Sequence, residues 1–289
     1  MEAAAALETP SGKGSRDENF PVGSWLLPPR LRPHVAVFYE LARATDDIAD
    51  NPNLAPDDKI RRLEAFEQAV RGAGADDPAL AKGHRMRASL AETGVAARHI
   101  CDLIAAFKQD ATKLRYADWD DLMGYCNLSA APVGRYLLDL HGEAAAGYAA
   151  SDPLCNALQV LNHLQDLKDD YVNLDRVYLP QDWMRAHGAV VEDLAREEST
   201  AGVRAVIDRC LDGCEALMRG ARTLPGRLRD RRLAMESAVI VRLADRLIAI
   251  LRAGDPIAGR VALTKPDFLG CGIRGIVAGL VTERFARRP

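Results

Sequence analysis

The segment Tyr39-Glu-Leu-Ala-Arg-Ala-Thr-Asp-Asp-Ile-Ala-Asp50 lies late in a long apolar helical pattern, yet it carries four carboxylates. Steps of three and four residues place Tyr39, Arg43, Asp46 and Asp50 on one stripe of an α-helix. Carboxylates spaced in this way repel each other by about 0.2–0.5 kcal/mol at an exposed site, and by more when buried. The segment therefore predicts a helix whose acidic stripe faces a cation.

A second acidic segment, Gln159-Val-Leu-Asn-His-Leu-Gln-Asp-Leu-Lys-Asp-Asp170, repeats this arrangement. Here Gln159, Asn162, Asp166 and Asp170 share a stripe. Mg²⁺ prefers hard oxygen ligands, usually one or two carboxylates together with substrate phosphates. Two such stripes facing each other could hold Mg²⁺ ions with a diphosphate between them.

The alternative is that each acidic stripe is a solvated helix face. Asp-Asp pairs also occur at 57–58, 76–77 and 120–121, at predicted helix starts where acidic residues favour the helix dipole. That explanation does not extend to acidic groups late in long apolar helices. Two stripes, each with polar neighbours in phase, favour a site.

Helical periodicity continues from Leu31 to the end of the chain, which predicts an all-α protein. Residues 1–18 are small and polar and predict a flexible tail, and residues 19–289 predict a single helical domain. No strand pattern with hairpin turns is present. The predicted helices cover 31–50, 57–71, 78–92, 96–108, 118–140, 152–172, 200–223, 229–253 and 273–286.

The predicted helix 118–140 contains Ser129-Ala-Ala-Pro-Val-Gly134, which is unusual inside a helix. Proline removes one backbone hydrogen bond and bends a helix, and small side chains leave space beside the bend. The bend either allows two helices to pack closely or widens a ligand channel.

Composition excludes several classes of function. The 289 residues are 48% apolar, with 38 Lys and Arg against 41 Asp and Glu, which gives no reason to expect nucleic-acid binding. Six cysteines without a CxxC pair predict a reduced, cytoplasmic protein. No stretch of 18 apolar residues predicts a membrane span, although peripheral membrane contact stays compatible with the sequence. Oligomeric state is left open.

The segment Gly270-Cys-Gly-Ile-Arg-Gly275 matches the dinucleotide fingerprint G-x-G-x-x-G. That motif requires a preceding strand and an acidic residue about 20 positions later, and too little chain follows Gly275 for such a unit. We therefore expect no NADPH site.

The motifs occur in an order that resembles the squalene/phytoene synthase family over nearly the whole chain. The resemblance implies an isoprenoid-synthase helical bundle around a central cavity, and an enzyme acting on a long-chain prenyl diphosphate. The matching pieces are Asn19-Phe20, Leu26-Leu27-Pro28, the two acidic stripes, Tyr125-Cys126 with Val133-Gly134, and Arg176-Val-Tyr178-Leu-Pro180.

The resemblance also implies roles for individual residues. The implied ligands of Mg²⁺, or of Mn²⁺ in its place, are Asp46, Asp50, Asn162, Asp166 and Asp170. The four aspartates, Tyr39 and Tyr125 would be catalytic. Arg43, Asn19, Gln159, Gln165, Tyr178 and Lys265 would bind substrate, with Tyr178 on a loop that closes over the reaction centre.

Within the family, the chain looks most like the bacterial hopanoid-pathway members that convert presqualene diphosphate into hydroxysqualene. Condensing members carry serines near the early Phe and an Arg before the second acidic motif, where this chain has Asp17, Asn19, Pro21 and Gln165. A condensing squalene, phytoene or presqualene diphosphate synthase is the nearest alternative. A related prenyltransferase or terpene cyclase, and a non-catalytic helical scaffold, are the others.

Overall fold

A computed structural model describes residues 7–9, 27–74 and 77–272 of the protein, and most of them are helical. The all-α prediction is confirmed, and the observed helix ends lie within a few residues of the predicted ones wherever a predicted helix is described. Residues 265–272 are also helical, which was not predicted. The helices are α1 Arg32–Ala49, α2 Pro56–Arg71, α3 Ala81–Thr93, α4 Arg98–Asp110, α5 Trp119–Ser129, α6 Ala131–Leu140, α7 Tyr148–Gln165, α8 Leu167–Leu174, α9 Gln181–Ala186, α10 Ala201–Ala221, α11 Leu224–Arg227 and α12 Arg231–Ala253.

Two short parallel strands, which the sequence did not predict, lie among the helices. Strand β1 (Arg115–Tyr116) pairs with β2 (Val177–Pro180), with Arg115 opposite Val177. All four residues of β2 are buried, so the strand shows no alternation between apolar and polar residues that the sequence could reveal. Tyr178 is therefore part of a buried strand and is not on a loop that closes over the site.

Two of the predicted helices, 118–140 and 152–172, break at a residue beside the site described below. The 118–140 helix divides at Ala130 (φ −124°, ψ −50°), and Pro132 lies in the first turn of α6, where its missing N–H costs nothing. The second helix divides at Asp166 (φ −101°, ψ 9°). The amide of Asp170 still donates to the Asp166 carbonyl at 2.8 Å, so the acidic stripe continues across the break.

Helix α7 is the central helix of the fold, and it packs against α5, α6, α10 and α12. Its core positions Ala157 and Leu161 are fully buried. A first group of buried residues surrounds α7, α10, α12 and the strands, and a second joins α1–α4 to α6. The ends of α1 and α7 that carry the acidic stripes lie where these two groups meet.

Several predictions fall outside the described residues, namely Asn19, the helix 273–286 and most of the tail. Residues 7–9 belong to the segment predicted as a tail, but they contact the helices. Thr9 Oγ1 donates to the Asp47 carbonyl at 3.0 Å, and Arg62 donates to the Leu7 carbonyl at 3.1 Å. Among the described helices, none has the length and hydropathy needed to cross a bilayer.

A stack of two tryptophans fixes α5 and α9 against α10. The rings of Trp119 and Trp183 are 5.4 Å apart and nearly parallel, and the guanidinium of Arg209 lies 4.3 Å from the centre of the Trp183 ring. Gly213 on α10 faces Trp119 so closely that a Cβ atom there would lie 2.6 Å from the ring. Gly220, on the same helix, has only ordinary contact with Pro153 at 3.9 Å.

We expect Gly213→Ala to destabilise the protein relative to Gly220→Ala by about 1–3 kcal/mol. Both changes gain the same helix propensity, roughly 1 kcal/mol, so the difference reports the displacement of Trp119. Urea unfolding of the two variants measures it. Equal stabilities would show that the tryptophan stack is not held as described.

Candidate active site

The first acidic stripe lies at the end of α1, next to a cation from the same helix. The Arg43 guanidinium contacts Asp46 at 3.0 Å and Asp47 at 2.5 Å. Burial and the neighbouring Asp50 carboxylate nevertheless raise the pKa of Asp46 well above its ordinary value. Arg43 therefore offsets only part of the repulsion within this stripe.

Arg176 is a site residue that the sequence analysis treated only as part of a motif. Its buried guanidinium donates to Asp50 Oδ1 at 2.5 Å and to the Ala49 carbonyl at 2.7 Å. Lys59 Nζ donates to the same carbonyl, also at 2.7 Å. Two cations at the carboxyl end of α1 complement the helix dipole. Arg176 also holds Asp50 in place and, because it directly precedes β2, joins that strand to the end of α1.

The second acidic stripe faces the first. Burial, together with repulsion from the Asp166 and Asp50 carboxylates, raises the pKa of Asp170 to about 8. Because Asp50 belongs to α1, this repulsion indicates that the two stripes share one space. Asp166 is more exposed, and Arg260 approaches it only to 3.6 Å.

The donor set fits a hard divalent cation that is completed by its substrate. In the described part of the chain, no three acidic, His or Cys side chains are close enough to enclose an ion by themselves. Mg²⁺ commonly takes one or two carboxylates and fills its remaining positions with water and phosphate oxygens. The oxygen ligands and the mutual repulsion of Asp46, Asp50 and Asp170 suit that mode of binding.

Asp110, at the end of α4, is a buried carboxylate that the sequence analysis missed. It accepts hydrogen bonds from the Tyr125 hydroxyl at 2.6 Å and from the Tyr178 hydroxyl at 3.1 Å. Burial raises the pKa of Asp110 to about 6, whereas the positive charge of Arg176 lowers it. A single Asp at a helix end gives no motif, and only the folded chain brings α4, α5 and β2 together around it.

His163 connects this cluster to the second stripe. Its ring stacks on Tyr178 with centroids 3.5 Å apart, and Nε2 lies 3.2 Å from the Gln159 amide nitrogen. Burial, together with the charge of Arg176, lowers the pKa of His163 to about 3, so the ring is neutral near pH 7. The histidine packs in the site and adds no positive charge.

An apolar cavity of about 340 Å³ extends from the acidic stripes between α1, α6, α7 and α12. Tyr39, Gln159 and Asn162 line it. The break between α5 and α6 also lines it, since its wall includes Ser129, Ala130, Val133 and Gly134. The bend in the predicted 118–140 helix therefore lies beside a channel.

Comparison with known proteins matches these features. A family model described as squalene/phytoene synthase matches residues 14–267. The chain belongs to the squalene/phytoene synthase family. It is 42% identical over 289 residues to a hydroxysqualene synthase from Rhodopseudomonas palustris, which covers 99% of this chain and 97% of the relative. It is 40% identical over 272 residues to a hydroxysqualene synthase from Sinorhizobium fredii, covering 94% and 92%.

Solved structures of the squalene/phytoene synthase family share the architecture. A squalene synthase from Alicyclobacillus acidocaldarius superposes with a TM-score of 0.71 at 31% identity, over 80% of this chain and 87% of the other. A dehydrosqualene synthase has a TM-score of 0.77 over 91% and 92%, and at 18% identity this likeness concerns the fold alone. The predicted isoprenoid-synthase fold is confirmed, and membership makes the chain an enzyme acting on prenyl diphosphates.

The other residues that were predicted to bind substrate lie at different distances from the cavity. Gln165 is buried and donates to the Val261 carbonyl at 2.7 Å, and it is not among the described residues that line the cavity. Lys265 is exposed in the helical segment 265–272. Tyr178 and Tyr125 lie behind Gln159 and His163. Asn19 is outside the described residues.

We expect Asp170→Asn to raise the free energy of unfolding by about 1–3 kcal/mol in buffer with EDTA near pH 8. A buried carboxylate whose pKa is raised costs stability when it is ionised, and an amide removes that cost. Chemical denaturation measures the change.

Asp152→Asn is the matched control, because Asp152 accepts two hydrogen bonds from Arg135 at 2.9 and 2.6 Å. This variant should lose about 1 kcal/mol. A loss of stability in Asp170→Asn as large as in the control would contradict the repulsion described for the acidic stripes.

Proposed function

We propose that this enzyme ionises presqualene diphosphate and captures the rearranged carbocation with water, giving hydroxysqualene and diphosphate. The observation that carries the proposal is the position of two opposed acidic stripes beside an apolar cavity. Relatives named hydroxysqualene synthase, 40–42% identical over nearly the whole chain, support this choice within the family.

The proposed reaction balances without a reductant. The carbon–oxygen bond to diphosphate breaks, and its electron pair leaves with the diphosphate. The cation rearranges, the oxygen of one water molecule bonds to it, and one proton is released. No hydride is consumed, so NADPH has no role.

The divalent ion would be held by Asp46, Asp50, Asn162, Asp166 and Asp170. When bound, Mg²⁺, or Mn²⁺ in its place, supplies positive charge that neutralises the leaving diphosphate. Arg43, on the same stripe, holds the diphosphate. The apolar cavity, with Tyr39 and Gln159 in its wall, holds the C30 hydrocarbon and keeps bulk water from the cation until it has rearranged.

The charges around the site favour one diphosphate over two. Condensation requires two bound diphosphates, each with its own cationic or donor contacts to offset desolvation. Lys113, Arg115 and Lys265 are the basic residues that could replace the missing contacts. Lys113 pairs with Asp121 at 2.5 Å, Arg115 pairs with Asp175 at 2.6 Å, and Lys265 is exposed. Gln165, at the position where condensing members carry Arg, is uncharged and contacts Val261. The engagement of Lys113, Arg115 and Gln165 elsewhere supports a preformed C30 substrate over condensation.

We expect the purified enzyme with Mg²⁺ to convert presqualene diphosphate into hydroxysqualene and to leave farnesyl diphosphate unchanged. One missing charge-assisted contact weakens binding by roughly 1.5–3 kcal/mol, or about 10–150-fold, and several would make a second diphosphate site ineffective. Product analysis with each substrate offered separately tests this. Any C30 product formed from farnesyl diphosphate alone would support the condensing alternative instead.

We expect EDTA to abolish turnover of presqualene diphosphate, Mg²⁺ or Mn²⁺ to restore it, and NADPH to change neither the rate nor the product. Asp46→Asn and Asp166→Asn should lose most activity and keep the fold, because their carboxylates contribute to ion binding. Metal titrations, together with circular dichroism, measure both effects.

Two results would overturn this assignment. Squalene formed in an NADPH-dependent reaction would make the protein a reducing synthase. Full turnover in EDTA, or full activity in both Asp variants, would show that the reaction does not depend on a metal ion held by these carboxylates. A non-catalytic scaffold would show neither turnover nor Mg²⁺-dependent protection from thermal unfolding by a diphosphate analogue.

A further inference from the structure

Asp110 receives the hydroxyl hydrogens of two tyrosines at once. The Tyr125 hydroxyl donates to Oδ2 and the Tyr178 hydroxyl donates to Oδ1, and the carboxylate is 4% exposed. A tyrosine hydroxyl has one hydrogen to donate. Because Asp110 takes that hydrogen from each, both phenol oxygens can only accept a hydrogen bond from a third group.

Neither phenol is among the described residues that line the cavity, and the rings of both contact His163 behind Gln159. On one side, Tyr178 stacks on His163, whose Nε2 lies 3.2 Å from the amide of cavity-lining Gln159. On the other side, the negative charge of Asp170 acts on Tyr178 and that of Asp50 acts on Asp110. The acceptor oxygens are therefore close to the place where the proposed reaction separates diphosphate from the cation.

The proposed reaction releases one proton for each water molecule that is captured. A water molecule bonded to the cation becomes strongly acidic, and a positioned acceptor at this stage directs the reaction toward alcohol. Neutral His163 contacts the Gln159 amide, while Tyr178 presents an oxygen whose own hydrogen already points to a carboxylate.

We propose that Asp110 is a positioning residue for the water capture, and that Tyr178 is the group that takes the proton. As the bond from the water oxygen to the carbocation forms, an O–H bond of that water breaks and its proton moves to the Tyr178 oxygen. The hydroxyl hydrogen of Tyr178 moves at the same time to Asp110, which becomes a neutral acid. This inference rests on the proposed function and deepens it.

The surroundings of Asp110 suit this role. Burial raises the pKa of Asp110 to about 6, against the opposing effect of Arg176, so the carboxylate is mostly ionised above neutral pH and accepts a proton more readily than an exposed aspartate. The phenol rings are held by aromatic contacts, since Tyr116 stacks with Tyr178 at 5.5 Å and lies 5.3 Å from Tyr125. The hydroxyl directions are therefore fixed before substrate binds.

The test compares Asp110→Asn and Tyr178→Phe with the wild-type enzyme, using presqualene diphosphate and Mg²⁺. Released diphosphate and hydroxysqualene are measured in the same reaction. We expect both variants to go on releasing diphosphate, while the share of C30 product that is hydroxysqualene falls on the order of tenfold. In D₂O the wild-type share of alcohol should change, and the shares of both variants should not.

Asp139→Asn is the matched control, because Asp139 also accepts a tyrosine hydroxyl, from Tyr148, and contacts buried His99 at 2.7 Å. This variant should keep the wild-type ratio of alcohol to diphosphate.

Several outcomes would overturn the inference. Equal loss of diphosphate release and of alcohol in both variants would indicate a structural role, and an unchanged ratio would assign the proton to another acceptor, such as the departing diphosphate. If Asp110→Asn fails to fold, Tyr178→Phe decides, since it removes one hydroxyl and keeps the ring. A wild-type enzyme that releases no diphosphate from presqualene diphosphate would instead refute the proposed function itself.

Discussion

Repulsion among buried carboxylates is the constraint that organises this enzyme. Carboxylates from the ends of α1 and α4 and from α8 lie close together, and the charge of Asp50 helps to raise the pKa values of Asp46, Asp110 and Asp170. Ionised groups in such surroundings cost several kcal/mol each unless opposite charge is supplied. The chain itself supplies Arg176 close to them, with Arg43 and Lys59 nearby. In the proposed function, the remaining negative charge would attract the divalent cation, so the repulsion that lowers the stability of the fold would favour binding at the site.

The fold separates this charged region from an apolar one by breaking helices. The break at Ala130 opens the wall between α5 and α6 to the cavity, and the break at Asp166 lets α8 turn away while the acidic stripe continues. Each break lies beside packed core residues of α7, so the irregular backbone is supported on its buried side. The result is a cavity with polar groups at one end and apolar walls along its length, as expected for a substrate with a charged head and a hydrocarbon tail.

The sequence predicted the parts of the site that depend on local spacing. Tyr39, Arg43, Asp46 and Asp50 are three or four residues apart, so helical geometry places their side chains on one stripe of the helix. The second stripe followed in the same way, even across the break at Asp166. Family resemblance added the cavity and the order of the motifs.

Residues whose roles arise only from tertiary packing could not be found in this way. Asp110 matters because tyrosines on α5 and β2 donate hydrogen bonds to it. A single Asp forms no motif, and strand β2 is buried on both faces, so its sequence shows no alternation of apolar and polar residues. The bend at Ser129–Gly134 was predicted, with its role in packing or in a channel left open. The break at Asp166 was not predicted, because packing can override the helix propensity of a continuous pattern. Predicted substrate residue Gln165 is bonded to Val261, a contact 96 residues away along the chain.

The bonds from Arg176 to Asp50 and to the Ala49 carbonyl join positions 126 and 127 residues apart. Closing a loop of that length costs chain entropy that no local contact repays, so such bonds form after neighbouring helices have paired. Lys59 can reach the Ala49 carbonyl as soon as α1 and α2 associate, whereas Asp50 acquires Arg176 only once the chain has passed through α4, α5, α7 and α8. A fragment of the chain that ends before residue 176 lacks the cation that holds Asp50, so this part of the site cannot be completed in it.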